Sequence, residues 1–183
     1  TITKPDSPQV YIPQQISENL QTLTLNDYFF ADSYDLDYAT LYRLADELHF
    51  DSERFASNQL ISTLSGGEKL KIQFIRELAR PHDIIFLDEP SNDMDLTTIT
   101  WLKDFIKHSE KTIIYISHDE DLLSQTADTI IHLELLKRRR QARTSVEHLD
   151  YDNYSQQRSD AFQQQMQQAK TDKKAYDKAM AKH

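Results

Sequence analysis

Two acidic side chains, Asp88 and Glu89, directly follow the apolar run Ile84–Leu87. A short, continuous apolar run is typical of a strand buried in a parallel sheet. Open α/β sheets bind ligands beyond the carboxyl ends of their strands, so the two acids lie where a ligand would bind. Adjacent carboxylates there cost desolvation energy unless a cation or hydrogen bonds offset it. The pattern predicts Mg²⁺ held through water by Asp88, with Glu89 orienting or deprotonating an attacking water. A strand that simply ends at surface acids is the alternative.

A second apolar run, Thr112–Ile116, is followed closely by His118. Between the two runs, residues 96–108 have the pattern of a helix, so the segment predicts a βαβ unit. Adjacent parallel strands would bring His118 to the sheet edge that carries Asp88 and Glu89. A histidine with a purely structural role is the alternative to a functional one.

Both glycines of the chain, Gly66 and Gly67, stand at the start of a helix predicted to end near Ala79. Ser65 and Glu68 form the Ser-x-x-Glu pattern of a capping box, which requires no ligand. Glycines at a helix start also let backbone N–H groups approach an anion, which the helix N-terminus favours. Both interpretations fit this tetrapeptide.

The rest of the chain before residue 152 predicts further helices and strands around these candidate site residues. Apolar spacing places helices within the acidic segment Ile16–Leu64 and over Asp119–Ala127, and strands at Gln9–Ile12, Thr129–Leu133 and Val146–Leu149. The first strand stops at Pro13 and Gln14. The Gln14 amide therefore either lies at the edge of the site or belongs to a plain loop.

From Asp152 onward the composition predicts one long helix rich in Gln and Lys. Its apolar residues follow heptad spacing, with Lys173 in the skipped position: Phe162, Met166, Ala169, Tyr176 and Met180. Such a thin stripe requires a partner helix.

The 183 residues allow one domain with a sizeable core and an appendage. The chain has no Cys, no run near the roughly 18 apolar residues of a membrane span and no signal-peptide core, so a cytoplasmic protein is expected. Residues 1–136 carry 10 basic and 24 acidic side chains, whereas residues 137–183 carry 11 and 6. The basic tail, with its cluster at 137–140 and Arg143, favours an anionic partner, and a solvated helix is the alternative.

Together these residues resemble the ATP-binding cassette (ABC) ATPases. The matching elements are Gln14 for the Q-loop, Leu64–Glu68 for the LSGGE signature, Ile84–Glu89 for the Walker B strand and its glutamate, Asp95 for the end of the D-loop, and His118 for the switch histidine. The resemblance implies an α/β fold with a parallel sheet, helices and a helical subdomain, followed by the long C-terminal helix.

Within that family the chain is similar to the ABC-F branch, which lacks membrane domains and acts on ribosomes. The segment Glu89–Asp95 is similar to the EPTNHLD of that branch. The segment Tyr151–Ser155 is similar to its Y-x-G-N-Y-S element, with Asp152 in place of the glycine. The helix that follows begins where ABC-F proteins carry a helical linker that reaches toward tRNA.

The resemblance implies ATP sandwiched between two cassettes, with Mg²⁺. It assigns catalysis to Glu89 and His118, and metal contact to Asp88 and Gln14. Its nucleotide-contacting set is Gln14, Ser65, Gly66, Gly67, Glu68 and Asp95. In this arrangement the signature residues contact the nucleotide of the opposite cassette, whereas the acids act on the nucleotide of their own.

A P-loop requires glycines and a Lys, and no glycine lies outside the signature. We therefore expect residues 1–150 to be the later part of a first ATPase domain, with a helical subdomain over about 16–80, and residues 151–183 to begin the linker between domains. The chain alone is expected to be inactive.

The resulting prediction is an ABC-F ATPase that binds and hydrolyses ATP to drive ribosome binding and release, as a translation factor or as an antibiotic-resistance protein that protects ribosomes. Its expected partners are a second cassette in the same parent chain, and the ribosome and tRNA through the basic tail, with no membrane. The alternatives are the nucleotide-binding domain of an ABC membrane transporter and a non-catalytic ABC-like scaffold.

Overall fold

A computed structural model describes residues 7–31, 35–136 and 141–180. The chain divides into two compact units, Thr1–Leu122 and Leu123–His183. The predicted boundary between an ATPase domain and a linker near residue 150, and the subdomain over 16–80, remain predictions. The basic cluster at 137–140 lies outside the described residues.

The elements follow the predicted order closely. The strands are β1 (Gln9–Ile12), β2 (Ile84–Asp88), β3 (Thr112–Ile116), β4 (Ile130–Leu136) and β5 (Gln141–Glu147). The α-helices are α1 (Glu18–Gln21), α2 (Leu25–Phe30), α3 (Tyr38–Glu47), α4 (Gly66–Leu78), α5 (Leu96–His108), α6 (Glu120–Thr126) and α7 (Tyr151–Met180), and two short 3₁₀ helices cover Ser52–Ala56 and Ile61–Thr63.

The first unit contains a three-stranded parallel sheet in the order β1-β2-β3. Alternate residues of its strands face the core, and Ile12, Ile85 and Leu87 are buried there. On the opposite face, Tyr11 and Ile116 are exposed. All three strands run the same way, so their carboxyl ends share one edge of the sheet, as the βαβ pattern predicts.

The helices of the first unit bury a core rich in aromatic rings. Phe29 of α2 packs on Phe55 of the 3₁₀ helix, with ring centroids 4.2 Å apart. Phe74 of α4 meets Trp101 of α5 edge to face at 5.5 Å. Phe29, Phe55 and Phe74 are fully buried, and this apolar burial is the main favourable contribution to folding.

In the second unit, β4 and β5 form an antiparallel hairpin. The strand predicted at Val146–Leu149 is instead β5, which begins earlier, because its polar residues pair with β4 rather than forming an apolar run. The helix α7 runs for 30 residues, as predicted. Its stripe residues Phe162, Met166 and Met180 are 63%, 46% and 61% exposed.

Of the helices in the described part of the chain, none is both long and apolar enough to cross a membrane. The α/β class, with a parallel sheet, flanking helices and a long C-terminal helix, is confirmed.

Candidate functional site

Glu89 occupies a backbone conformation that non-glycine residues rarely adopt. It follows the last residue of β2 with φ of 48°. Its N–H donates to the Ile116 carbonyl at the end of β3, 2.8 Å away. The Asn92 N–H donates to the Glu89 carbonyl at 3.2 Å, which closes a turn. Left-handed backbone in a side-chain-bearing residue costs about 1–3 kcal/mol, and such strain clusters at functional sites.

The Glu89 carboxylate is joined to His118 by two contacts. Oε2 accepts a hydrogen bond from the His118 backbone N–H at 3.1 Å, and Oε1 lies 3.3 Å from His118 Nε2. The Glu89 side chain is 13% exposed, whereas that of His118 is 95% exposed. The imidazole therefore stands in solvent beside a carboxylate fixed at the carboxyl edge of the sheet.

Asp88, the last residue of β2, accepts a hydrogen bond from the Tyr11 hydroxyl at 3.0 Å. This hydrogen bond raises the pKa of Tyr11 above its ordinary value, and burial and the Asp88 charge act in the same direction. Tyr11 belongs to β1, so the contact spans neighbouring strands. No motif in the sequence indicated that Tyr11 takes part in the site.

The start of α4 has the geometry of a capping box. Ser65 Oγ accepts from the Glu68 N–H at 3.2 Å, and Glu68 Oε2 accepts from the Ser65 N–H at 3.0 Å and from Ser65 Oγ at 3.1 Å. The pKa of Glu68 lies below its usual range. The largest cause is the hydrogen bond from the Ser65 backbone N–H, and the second is the hydrogen bond from Arg54. The predicted capping box is therefore confirmed.

The glycines at this helix start lie against the loop that precedes α5. A Cβ placed on Gly66 would lie 3.3 Å from the Asp93 carboxylate, and one on Gly67 would lie 3.2 Å from the Asp93 carbonyl. Asp93 itself has φ of 60°. The absence of side chains at both positions thus permits a close approach between the helix and the loop.

Asp95 ends this loop and caps α5. Its carboxylate accepts from the Thr98 N–H at 2.7 Å and lies 3.4 Å from the Lys71 ammonium. The hydrogen bonds with Thr98 are the main reason why the pKa of Asp95 is lowered, and Lys71 adds to the effect. Lys71 is a second residue that the motifs did not indicate.

Gln14 lies two residues beyond β1 and is exposed. Because β1 is parallel to β2, Gln14 and Asp88 belong to the same edge of the sheet. Within the described residues, no group of three or more His, Cys, Asp or Glu side chains could hold a metal ion. Mg²⁺ is commonly bound by one or two carboxylates together with substrate phosphates, and the single Asp88 carboxylate fits that donor set.

Known proteins align with part of the chain, although no protein-family model matches it. The protein named probable ATP-binding protein YheS from Escherichia coli K12 is 39% identical over 83 residues, which is 44% of this chain and 13% of that protein. ATP-binding protein Uup from Buchnera aphidicola is 42% identical over 77 residues, which is 42% of this chain and 13% of that protein. Elongation factor 3 from Pneumocystis carinii is 41% identical over 78 residues, which is 42% of this chain and 8% of that protein.

The aligned part of the chain is 39–42% identical to these three relatives. These similarities support an ATP-binding cassette fragment of the ABC-F type. The aligned stretches span about an eighth or less of each relative.

Solved structures agree on the fold of the chain. A structure described as ribosome-bound archaeal Pelota and ABCE1 matches with a TM-score of 0.57 and 23% identity, over 80% of this chain and 25% of that chain. A structure described as an inward-facing putative metal-chelate type ABC transporter matches with a TM-score of 0.53 and 17% identity. The match covers 78% of this chain and 60% of that chain. At these identities the matches establish the fold alone, and they confirm the predicted nucleotide-binding-domain architecture.

The structure joins several of the predicted site residues into two groups. Glu89 and His118 meet at the carboxyl edge of the sheet, with Asp88 directly before Glu89. Ser65 and Glu68 form the cap of α4. The assigned roles of these residues, and of Gln14, Gly66, Gly67 and Asp95, remain predictions.

Proposed function

We propose that this chain is part of an ABC-F ATPase that binds and hydrolyses ATP to drive ribosome binding and release. The observation that carries the proposal is the double contact between Glu89 and His118 at the carboxyl edge of a parallel sheet. That edge is where α/β folds bind ligands. The family assignment supports the same function, and elongation factor 3 and the ribosome-bound ABCE1 structure are similar to this chain.

In the proposed reaction, Glu89 polarises the water that attacks the γ-phosphate. Its carboxylate is oriented by the His118 N–H and held at low exposure, so its position is set before substrate arrives. The solvent-exposed His118 imidazole contacts the γ-phosphate. Asp88, with Gln14 at the same edge, would hold Mg²⁺, which supplies charge neutralisation of the phosphates when bound.

The signature helix serves a second nucleotide in this proposal. Ser65, Gly66 and Gly67 present the N-terminus of α4, which attracts anions. These residues contact the γ-phosphate held by a second cassette, which is the proposed partner within the parent protein. The 183-residue chain contains no P-loop, so on its own it is expected to hydrolyse no ATP.

The basic tail is proposed to contact the ribosome and tRNA. Lys170, Lys173 and Lys174 are exposed on α7, and neutralisation of phosphates by such side chains gives salt-dependent binding. We propose a cytoplasmic protein that acts either as a translation factor or in ribosome protection and antibiotic resistance.

The test of catalysis compares the full-length parent protein with its E89Q variant. The control is E110Q, the same substitution at an exposed glutamate. We expect steady ATP turnover in the wild type and in E110Q, and a loss of at least about a hundredfold in E89Q with ATP still bound. Unchanged turnover in E89Q overturns the catalytic assignment. ATP binding without turnover in the wild type favours a non-catalytic scaffold instead.

The test of ribosome action is co-sedimentation of the parent with 70S or 80S ribosomes. ATP-bound E89Q is expected to remain on ribosomes, because release follows hydrolysis in the proposed cycle. Charge reversal at Lys170, Lys173 and Lys174 is expected to weaken binding and to reduce its dependence on salt. Co-purification with a membrane subunit, without ribosome binding, overturns this part of the proposal.

A further inference from the structure

Arg54 lies outside every motif described above, yet its guanidinium is held on three sides. It belongs to the 3₁₀ helix Ser52–Ala56. Nη1 donates to Glu68 Oε1 at 2.7 Å. Nε and Nη2 both donate to Gln59 Oε1, at 3.3 and 3.1 Å. The guanidinium also lies over the Phe50 ring, 4.8 Å from its centroid. This many contacts fix the head group in one orientation.

Glu68 divides its two carboxylate oxygens between Arg54 and the helix cap. Oε1 accepts from Arg54, whereas Oε2 accepts from the Ser65 N–H and from Ser65 Oγ. Arg54 therefore acts on Ser65 through Glu68. The Arg54 and Glu68 side chains are 29% and 34% exposed, so their ion pair is partly shielded from water.

A carboxylate at this position has two opposing effects. It stabilises α4, because negative charge near a helix N-terminus interacts favourably with the exposed N–H groups. It also repels any phosphate that approaches Ser65, Gly66 and Gly67, since like charges at short range disfavour binding. A cation paired directly with the carboxylate removes the repulsion without removing the cap.

We propose that Arg54 is a positioning residue for the phosphate that contacts Ser65, Gly66 and Gly67. It holds Glu68 in the capping geometry and cancels the Glu68 charge that the phosphate meets. This inference rests on the proposed function, in which the signature helix binds a γ-phosphate.

The experiment is a double-mutant cycle in the full-length parent, with R54M, E68Q and the combined variant. Gln at position 68 retains an oxygen that can cap the helix but carries no charge. R54M alone is expected to raise KM for MgATP about tenfold, with a smaller effect on kcat, as for the loss of one charge-assisted hydrogen bond. In the E68Q background, R54M is expected to change KM by less than about twofold.

The matched control is R43M. Arg43 pairs with Glu47 at 2.5 Å within α3, so the substitution removes an ion pair that does not involve the signature helix. It is expected to leave KM unchanged. R54K serves as the conservative variant and is expected to restore part of the affinity, because it retains the charge but not the planar donor group. It also provides the measurement if R54M does not fold.

The outcomes separate this inference from the proposed function. Normal ATP turnover, with the same effect of R54M in both backgrounds, overturns the role of Arg54 and leaves the proposed function standing. A wild-type parent that does not hydrolyse ATP overturns the proposed function and this inference with it. A KM effect of R54M that disappears in E68Q supports charge cancellation at the signature helix.

Discussion

The Lys71 ammonium lies 3.4 Å from the Asp95 carboxylate, and this ion pair joins α4 to the loop before α5. The Lys71 side chain is only 14% exposed, so the basic partner of this ion pair is largely buried. The same loop also approaches the start of α4 where Asp93 lies against Gly66 and Gly67. The signature helix and the loop after Glu89 are therefore in contact at two places within one chain.

The Asp95 cap predicts a stability contribution that depends on pH. D95A is expected to lower the free energy of unfolding by about 1 kcal/mol at pH 7, as for loss of a helix N-cap. Hydrogen bonds from Thr98 lower the pKa of folded Asp95 below its ordinary value of 3.8. The charge-dependent stabilisation is therefore present above that value and is lost as pH falls through the lower folded pKa.

The measurement is urea unfolding of the wild type and D95A at pH 7 and below pH 3, with D104A as an exposed control in the same helix. The difference between the wild type and D95A should shrink at the lower pH. A difference that stays constant, or grows, contradicts a charged cap at Asp95.

The exposure of His118 predicts that its proposed role in ATP turnover can be separated from any effect on folding stability. H118A removes a side chain that is 95% exposed and retains the backbone N–H that contacts Glu89. We expect the midpoint of thermal unfolding to be unchanged and ATP turnover of the parent to fall at least about a hundredfold. The control is H108A, an exposed histidine at the end of α5. Equal turnover in both variants removes His118 from the reaction.

Local pattern was sufficient to predict much of this fold. The strands at Gln9–Ile12 and Thr112–Ile116 and the helix over residues 96–108 appear where periodicity places them. The Ser65–Glu68 capping box forms as its four-residue pattern indicates. These features depend on residues close in sequence, so spacing carries the necessary information.

The contacts that complete the site depend on residues distant in sequence. Tyr11 meets Asp88 across 77 positions, and Arg54 meets Glu68 across 14. In the sequence, the spacing of neither pair indicates a contact, and Tyr11 and Arg54 look like ordinary exposed polar residues. The bounds of β5 were missed for a related reason, because its polar residues form a strand only through pairing with β4.

The packing of the two glycines predicts different results for two otherwise identical substitutions. The atom nearest to a Cβ on Gly66 is a carboxylate oxygen at the end of the Asp93 side chain, which can rotate away. The atom nearest to a Cβ on Gly67 is the Asp93 backbone carbonyl, which cannot move without the loop. Neither glycine has a positive φ, so the backbone at both sites is compatible with Ala, which reduces the conformational entropy of the unfolded chain.

We therefore expect G66A to maintain or raise the unfolding midpoint, and G67A to give a lower midpoint than G66A. Chemical shifts of the Asp93 and Met94 amides should move more in G67A, because the loop is displaced there. Thermal unfolding together with two-dimensional NMR provides the measurement. A G66A variant that is less stable than G67A contradicts the described approach of the loop.

In the second unit, Tyr154 anchors the start of α7 to the hairpin. Its hydroxyl hydrogen-bonds with His132 Nδ1, and the two rings lie 5.9 Å apart. His132 Nε2 is buried, has no hydrogen-bond partner among the described residues and lies 3.5 Å from the Glu134 carboxylate. Arg158, one turn further along α7, also contacts Glu134 at 3.4 Å. Burial raises the pKa of Tyr154, so its hydroxyl remains protonated at neutral pH.

Y154F removes this hydroxyl and keeps the ring, so within the described ranges it leaves both nitrogens of His132 without a hydrogen-bond partner. We expect the free energy of unfolding to fall by about 1 kcal/mol. We also expect faster amide hydrogen exchange from Tyr154 to Arg158. Q156A is the control, because the Gln156 side chain donates to the exposed Asp160 one turn along the same helix. If exchange rises equally in both variants, or in neither, then packing of the ring rather than the hydrogen bond to His132 anchors α7.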